Sequence, residues 1–162
     1  MKLLPLFIHL LLPFLLLLAS PAQARIGETL AECTARYGDP VSVNLDPPVT
    51  MHEKAGIRVA CFYFEGKCDF IYFKNLKTDT EGTPMPFTDA ERKVLFEASS
   101  AGKDWTPDSE EDQVAYWNCD DLQGLQQQKG ERHIIIQTRA HMARSAASKT
   151  KEQKARENLK DF

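Results

Sequence analysis

The chain has 162 residues, a formal net charge of −3 at pH 7 and four cysteines. This mild acidity disfavours nucleic acid as a ligand, because binding to phosphates requires a basic surface. After the N-terminal apolar stretch, no run is long enough to span a bilayer.

The N-terminus has the pattern of a secretory signal peptide. Lys2 precedes the apolar run Leu3–Leu18, and an Ala-Gln-Ala cleavage site follows at residues 22–24. Two prolines in the run disfavour the alternative, an uncleaved anchor helix. Cleavage after Ala24 leaves 138 residues and a net charge of −4. No cysteine stands at a lipidation position, so we expect a periplasmic or secreted protein that is not a lipoprotein.

The first element of the mature chain is a short helix within residues 27–40. Thr29 and Glu32 have the spacing of a capping box, and Gly38 and Pro40 end the helix. Its apolar stripe contains Leu30, Cys33 and Tyr37. A brief strand follows at residues 41–45, and we expect residues 49–56 to be a connection.

Residues 57–73 predict a hairpin that turns at Glu65-Gly66 and forms the centre of the core. A two-residue turn places Val59, Cys61, Tyr63, Cys68, Phe70 and Tyr72 on one uncharged face. A three-residue turn would move two charged residues onto that face, so we favour the shorter turn.

The other face of the hairpin is also apolar. In this register it holds Phe62, Phe64, Ile71 and Phe73. Either the C-terminal elements cover this face, or it is a surface for a protein partner or a second copy of the chain.

The second half of the sequence contains fewer patterns that predict secondary structure. A capping box at Thr88 and Glu91 predicts a helix over residues 88–100, with Val94, Leu95 and Ala98 buried. Because it resembles the capping box of the first helix, it suggests a degenerate internal repeat. Two strands are expected at residues 114–119 and 133–138, with loops at residues 75–86 and 103–112 and a connector between the strands.

The predicted domain organisation is a signal peptide over residues 1–24, one α+β domain over residues 25–142 and a charged, flexible tail over residues 143–162. We expect capped helices packed on a small antiparallel sheet. The tail is either disordered or a frayed helix, since lysine, arginine, glutamate, alanine and serine dominate it.

In an exported chain, four cysteines suggest two disulfides that staple the domain. Cys61 and Cys68 would be diagonal neighbours, with Cβ atoms roughly 7 Å apart, which is too far for a bridge. We therefore expect Cys33 to pair with one of them and Cys119 with the other. The alternative is that some are buried free thiols.

The first helix and the hairpin resemble the small outer-membrane lipoproteins of the SmpA/OmlA (BamE) type and the related β-lactamase-inhibitor-protein-like fold. The resemblance rests on Gly27, Thr29, Glu32, Cys33, Tyr37, Gly38 and Pro40 and does not extend beyond Lys74. It implies a scaffold that binds other proteins and has no catalytic activity. The lipidated cysteine of those lipoproteins is missing here.

No catalytic motif stands out. A zinc site could be drawn from Cys119, Asp120, His133 and His141, but exposed histidines near a strand end are the simpler interpretation, and we expect no metal or cofactor. The sequence therefore predicts an exported, non-enzymatic protein that binds another envelope or secreted protein, with a homodimer as an alternative. Two other hypotheses are a cysteine- or metal-dependent hydrolase or redox enzyme, and a carbohydrate- or peptide-binding module that uses Trp105 and Trp117.

Overall fold

The structure is a computed structural model that describes residues 25–128 and 132–158. The predicted signal peptide, residues 1–24, lies outside the described residues. The strands are β1 Ser42–Leu45, β2 Pro48–Lys54, β3 Ile57–Phe64, β4 Lys67–Asn75, β5 Thr106–Glu111, β6 Val114–Cys119, β7 Leu122–Gln127 and β8 His133–Thr138. The helices are α1 Leu30–Tyr37, α2 Asp89–Ser99 and α3 Arg139–Asn158.

These strands form one antiparallel sheet in the order β1-β2-β3-β4-β8-β7-β6-β5. Each half of the sheet is a four-stranded meander preceded by a capped helix, and the halves join where β4 pairs with β8. This arrangement supports the internal repeat that the two capping boxes suggest. Both boxes are present, because Thr29 and Thr88 each accept a hydrogen bond from the backbone N–H three residues later.

The predicted fold class is wrong in two respects. The described residues form one eight-stranded antiparallel sheet with three helices, rather than capped helices on a small sheet. All four cysteines are among the described residues and all are free thiols, so no disulfide staples the domain.

The sheet is larger than predicted because three strands lack an alternating apolar pattern. Strand β2 was expected to be a connection, yet it buries the polar side chains of Thr50 and His52. Strand β5 is an exposed, acidic edge strand. The sequence of β7 resembles a polar connector, because two of its three buried positions are Gly124 and Gln126 and only the third, Leu122, carries a large apolar side chain. Pairing with neighbours, not composition, makes these segments strands.

The hairpin of β3 and β4 turns at Glu65-Gly66 as predicted, since Phe64 pairs with Lys67. Glu65 has φ 50°, the left-handed conformation that a two-residue turn requires at its first position. After the turn the register shifts. Tyr63 pairs with Cys68 but Phe62 pairs with Phe70, so Asp69 is the extra residue of a β-bulge.

The bulge reverses the predicted side of every later residue of β4. Ile71 is 0% exposed and lies beside Cys61, and Phe73 is 1% exposed and lies beside Val59. They are therefore core residues, and the predicted partner face of Phe62, Phe64, Ile71 and Phe73 does not exist as one surface.

Different helices pack on the two faces of the sheet. Helices α1 and α2 lie on the side of the main core, which contains Cys33 and Tyr37 of α1 and Phe96 of α2. On the opposite side α3 begins, and its His141 ring contacts Phe70 at 4.8 Å between centroids. Val94 of α2, predicted to be buried, is 63% exposed.

Helix α3 extends from residue 139 to residue 158 and thus crosses the predicted boundary between domain and tail at residue 143. Its first turns pack on the sheet, whereas its described side chains from Ala146 onward are exposed. No helix among the described residues is long and apolar enough to cross a membrane.

Gly124 generates a testable prediction about packing between the sheet and α2. A Cβ atom at this position would lie 2.7 Å from Phe96 Cζ and 3.0 Å from Trp105 Cζ3. We expect Gly124→Ala to lower the free energy of unfolding by about 1–3 kcal/mol, because it overpacks a close contact. Urea denaturation measures this, with Gln127→Ala on the same strand as the control. A Gly124→Ala variant as stable as the control would contradict the contact.

Candidate functional site

Three cysteines from three elements meet in the core. Cys61 lies on β3, Cys68 on β4 beyond the turn, and Cys33 on the buried side of α1. Two backbone hydrogen bonds of 2.7 Å hold the segment before α1 against Cys68, one from Gly27 N–H to the Cys68 carbonyl and one from Cys68 N–H to the Glu28 carbonyl. These bonds bring the start of α1, and with it Cys33, to the end of the hairpin.

We call Cys33, Cys61 and Cys68 the thiol cluster. Their Sγ atoms all lie within 4.8 Å of one another. The exposed fractions of the three residues are 1%, 0% and 0%. In the described part of the chain, this is the one group of three or more histidine, cysteine, aspartate or glutamate side chains close enough together to hold a metal ion.

The three thiols affect one another's protonation. Hydrogen bonding with Cys61 and Cys68 lowers the pKa of the Cys33 thiol. The same interactions with Cys33 raise the pKa values of Cys61 and Cys68. The three thiols therefore titrate as one coupled group.

A chain of buried polar groups connects the cluster to His52. The Tyr63 hydroxyl lies 2.8 Å from Thr50 Oγ1, which lies 2.9 Å from His52 Nε2. His52 Nδ1 is 2.8 Å from the Gly38 carbonyl oxygen and donates its proton to it. Both ring nitrogens are thus engaged, and His52 supports the cluster through Tyr63 rather than by direct contact.

A buried ion pair lies on the other side of Cys33. Arg36 Nε donates to Glu28 Oε2 at 2.8 Å, and a second contact joins the Arg36 Nη2 and Glu28 Oε1 atoms. The Cys33 thiol donates to Glu28 Oε2 at 4.0 Å. The guanidinium contacts both carboxylate oxygens and so neutralises the carboxylate charge next to Cys33.

Two further features adjoin the cluster. The Tyr37 hydroxyl is buried and has no hydrogen-bond partner among the described residues. Burial, with a smaller contribution from the neighbouring cysteines, raises the pKa of Tyr37, so it keeps its proton. Cys68, although 0% exposed, also contributes to the wall of a cleft of about 470 Å³ that Arg25, Lys67 and Arg144 line as well.

The arrangement offers a small cation three sulfur donors and excludes larger reactants. An attacking thiolate needs room for its substrate, whereas all three cysteines are at most 1% exposed. The chemistry that fits this environment is coordination of an ion that prefers soft ligands.

The structure separates the other predicted site residues. Cys119 is buried apart from the cluster, and burial raises the pKa of its thiol. His141 contacts Asp69 of β4, whereas the His133 ring contacts Tyr72 further along the same strand. The zinc site drawn from Cys119, Asp120, His133 and His141 is therefore not assembled in the described residues.

The two tryptophans proposed for ligand binding do lie together. Trp105 and Trp117 flank Phe96, with ring centroids at 4.6 Å and 5.2 Å, and line a cleft of about 530 Å³ with Arg92. Carbohydrate or peptide binding at this cleft stays a hypothesis.

Sequence reasoning found the three cysteines but missed their support. Cys33, expected to form a disulfide with Cys61 or Cys68, lies beside both of them as a free thiol, and the sequence did not reveal the roles of Glu28 and His52 around it. A buried histidine on a segment taken for a loop gives no signal in sequence, since its burial depends on strand pairing.

The Glu28–Arg36 pair gives a prediction about stability. Both side chains are only 11–13% exposed, so Arg36→Met leaves a buried carboxylate without its cation. We expect the free energy of unfolding to fall by about 3 kcal/mol. The matched control is Arg58→Met, because the Arg58–Glu53 pair is about 40% exposed and its loss should cost at most about 1 kcal/mol. Equal losses in urea denaturation would show that the buried pair has no special role.

No known family model matches this chain, and no curated protein matches it. Among solved structures, the chain is similar to the crystal structure of a cysteine-rich secretory protein from Staphylococcus aureus subsp. aureus Mu50. The TM-score is 0.45 and the identity 14%; the similarity covers 73% of this chain and 46% of that one. The chain thus spans less than half the length of that structure, and at this level of similarity neither fold nor function carries over.

Proposed function

We propose that this protein is an exported metal-binding protein that holds one thiophilic cation, Cu⁺, between Cys33, Cys61 and Cys68. The observation that carries the proposal is the convergence of three buried sulfur atoms within 4.8 Å of one another. Export to the periplasm or beyond the cell is part of the proposal and rests on the signal-peptide pattern of residues 1–24.

The spacing suits a single ion. Metal–sulfur bonds of about 2.3 Å place the three sulfur atoms of a trigonal site roughly 4.0 Å apart. Sγ atoms that lie within 4.8 Å of one another are compatible with that spacing. A bound cation would also offset the negative charge of the thiolates that hold it, because an uncompensated charge is unfavourable in an apolar surrounding.

The number of donors favours Cu⁺ over Zn²⁺. Structural zinc sites have four protein ligands, and zinc accepts sulfur, nitrogen and oxygen. Here two side chains that could supply a fourth ligand are engaged, since His52 bonds through both nitrogens and Arg36 holds Glu28. A set of three sulfur donors shielded from water fits Cu⁺, which prefers soft thiolates.

This proposal replaces our expectation that the protein binds no metal. Binding of another exported protein, now limited to Phe62 and the 44% exposed Phe64, stays a separate hypothesis. Neither proposal requires a reaction at the thiol cluster.

The test is a Cu⁺ competition titration of the purified mature chain without oxygen, with bicinchoninate as the coloured competitor. We expect one Cu⁺ per chain in the wild type. Cys33→Ser, Cys61→Ser and Cys68→Ser should each lower the affinity at least 100-fold. Cys119→Ser is the matched control, because it removes a buried thiol outside the cluster, and it should keep the wild-type affinity.

X-ray absorption of the loaded wild type should give sulfur ligands alone, a result that does not depend on whether the variants fold. A parallel titration with Zn²⁺ tests the choice of ion. Absence of Cu⁺ binding, or equal losses in Cys119→Ser and Cys33→Ser, would refute the copper site. Tight Zn²⁺ binding without Cu⁺ binding would refute the choice of ion but keep the site.

A further inference from the structure

A second group of reactive side chains lies on the opposite side of the sheet. His141 Nδ1 is 3.4 Å from Asp69 Oδ1, and His141 Nε2 is 3.5 Å from Ser145 Oγ. The carboxylate, the imidazole and the hydroxyl therefore form a line in the order that a serine nucleophile with a histidine base requires. Both distances are long for hydrogen bonds, but such contacts often tighten only when substrate binds.

Two elements of the fold, β4 and α3, position the three residues. Asp69 is the bulged residue of β4, so it points away from Cys68 and towards α3. His141 and Ser145 are four residues apart on α3 and hence lie on the same face of the helix. The Thr138 side chain accepts a hydrogen bond from the His141 backbone N–H at 2.9 Å, which ties the start of α3 to the end of β8.

Arg144 fixes the carboxylate. Its Nη2 contacts Asp69 Oδ2, which leaves Oδ1 directed at His141. The guanidinium also lies over the Phe64 ring, 3.8 Å from the centroid. The Asp69 side chain is 13% exposed, so this pairing compensates a largely buried charge.

The proton arrangement follows from these contacts. An ionised Asp69 only accepts hydrogen bonds, so Nδ1 of His141 carries the proton and Nε2 accepts from the Ser145 hydroxyl. Burial lowers the pKa of His141. A neutral imidazole at neutral pH is the form that can take a proton from serine.

A small cleft of about 150 Å³ opens beside this group. Pro47, Pro48, Phe62 and Phe64 give it apolar walls, and His141, Arg144 and Ser145 also line it. Its volume suits a short acyl group. The one cation in its lining, Arg144, lies next to the serine in sequence and can stabilise a negatively charged oxygen.

We propose that Asp69, His141 and Ser145 form a hydrolytic site for short-chain carboxylic esters. The Ser145 oxygen adds to the ester carbonyl as its proton passes to His141 Nε2. The carbon–oxygen bond to the alcohol then breaks, and the same proton leaves with the alcohol. His141 then takes a proton from water, and the water oxygen attacks the carbonyl carbon of the acyl-serine. The bond to the Ser145 oxygen breaks, the carboxylic acid leaves, and His141 passes the proton to Ser145.

The experiment uses the purified mature chain and p-nitrophenyl acetate, with a fluorophosphonate as a covalent probe of the nucleophile. We expect the probe to add to Ser145, as located by peptide mass mapping. Ser145→Ala should abolish this labelling and lower the rate of ester hydrolysis at least 100-fold. Asp69→Asn should lower it at least tenfold while the protein stays folded by circular dichroism.

Ser148→Ala is the matched control, because Ser148 is an exposed serine on the same helix, and it should keep the wild-type rate. Cys33→Ser should also keep the rate, which separates this site from the copper site. No labelling of Ser145, or a Ser145→Ala rate within twofold of the wild type, would overturn the proposal. The labelling of Ser145 is measured on the wild-type chain, so it does not depend on whether any variant folds.

Discussion

The β-bulge at Asp69 is the constraint on which the rest of this structure depends. One extra residue in β4 reverses the alternation of its side chains relative to β3. As a result Cys68 and Ile71 lie on the same side of the sheet although they are three residues apart. Without the bulge, Ile71 and Phe73 would lose their place in the core.

Two adjacent residues at the bulge lie on opposite faces of the sheet. Cys68 joins Cys33 and Cys61 under α1, whereas Asp69 contacts His141 and Arg144 of α3. The two proposed sites thus share a stretch of backbone but no side chain. Substitutions at one site should therefore leave the other proposed function intact, although Cys68 and Asp69 are adjacent in sequence.

The core of the protein also contains several buried polar side chains. The core encloses Thr50, His52 and three cysteines, and an ion pair borders it. Such groups are tolerated when each finds a partner, and the chain from Gly38 through His52 and Thr50 to Tyr63 provides them. A core built this way is specific in geometry, which suits a site whose donors must converge on one point.

Local patterns in the sequence determined both capping boxes, the turn at Glu65-Gly66 and the strands rich in β-branched residues. These features depend on interactions within a few residues, so the amino acids alone specify them. The large sheet was not predictable in the same way, because β2, β5 and β7 become strands through their neighbours. The position of the bulge was decided only in the tertiary structure, where the core accepts Ile71 and Phe73 and the segment before α1 bonds to Cys68. The bulge moved Ile71 and Phe73 to the side of Cys61 and Cys68, and Asp69 lies beside His141.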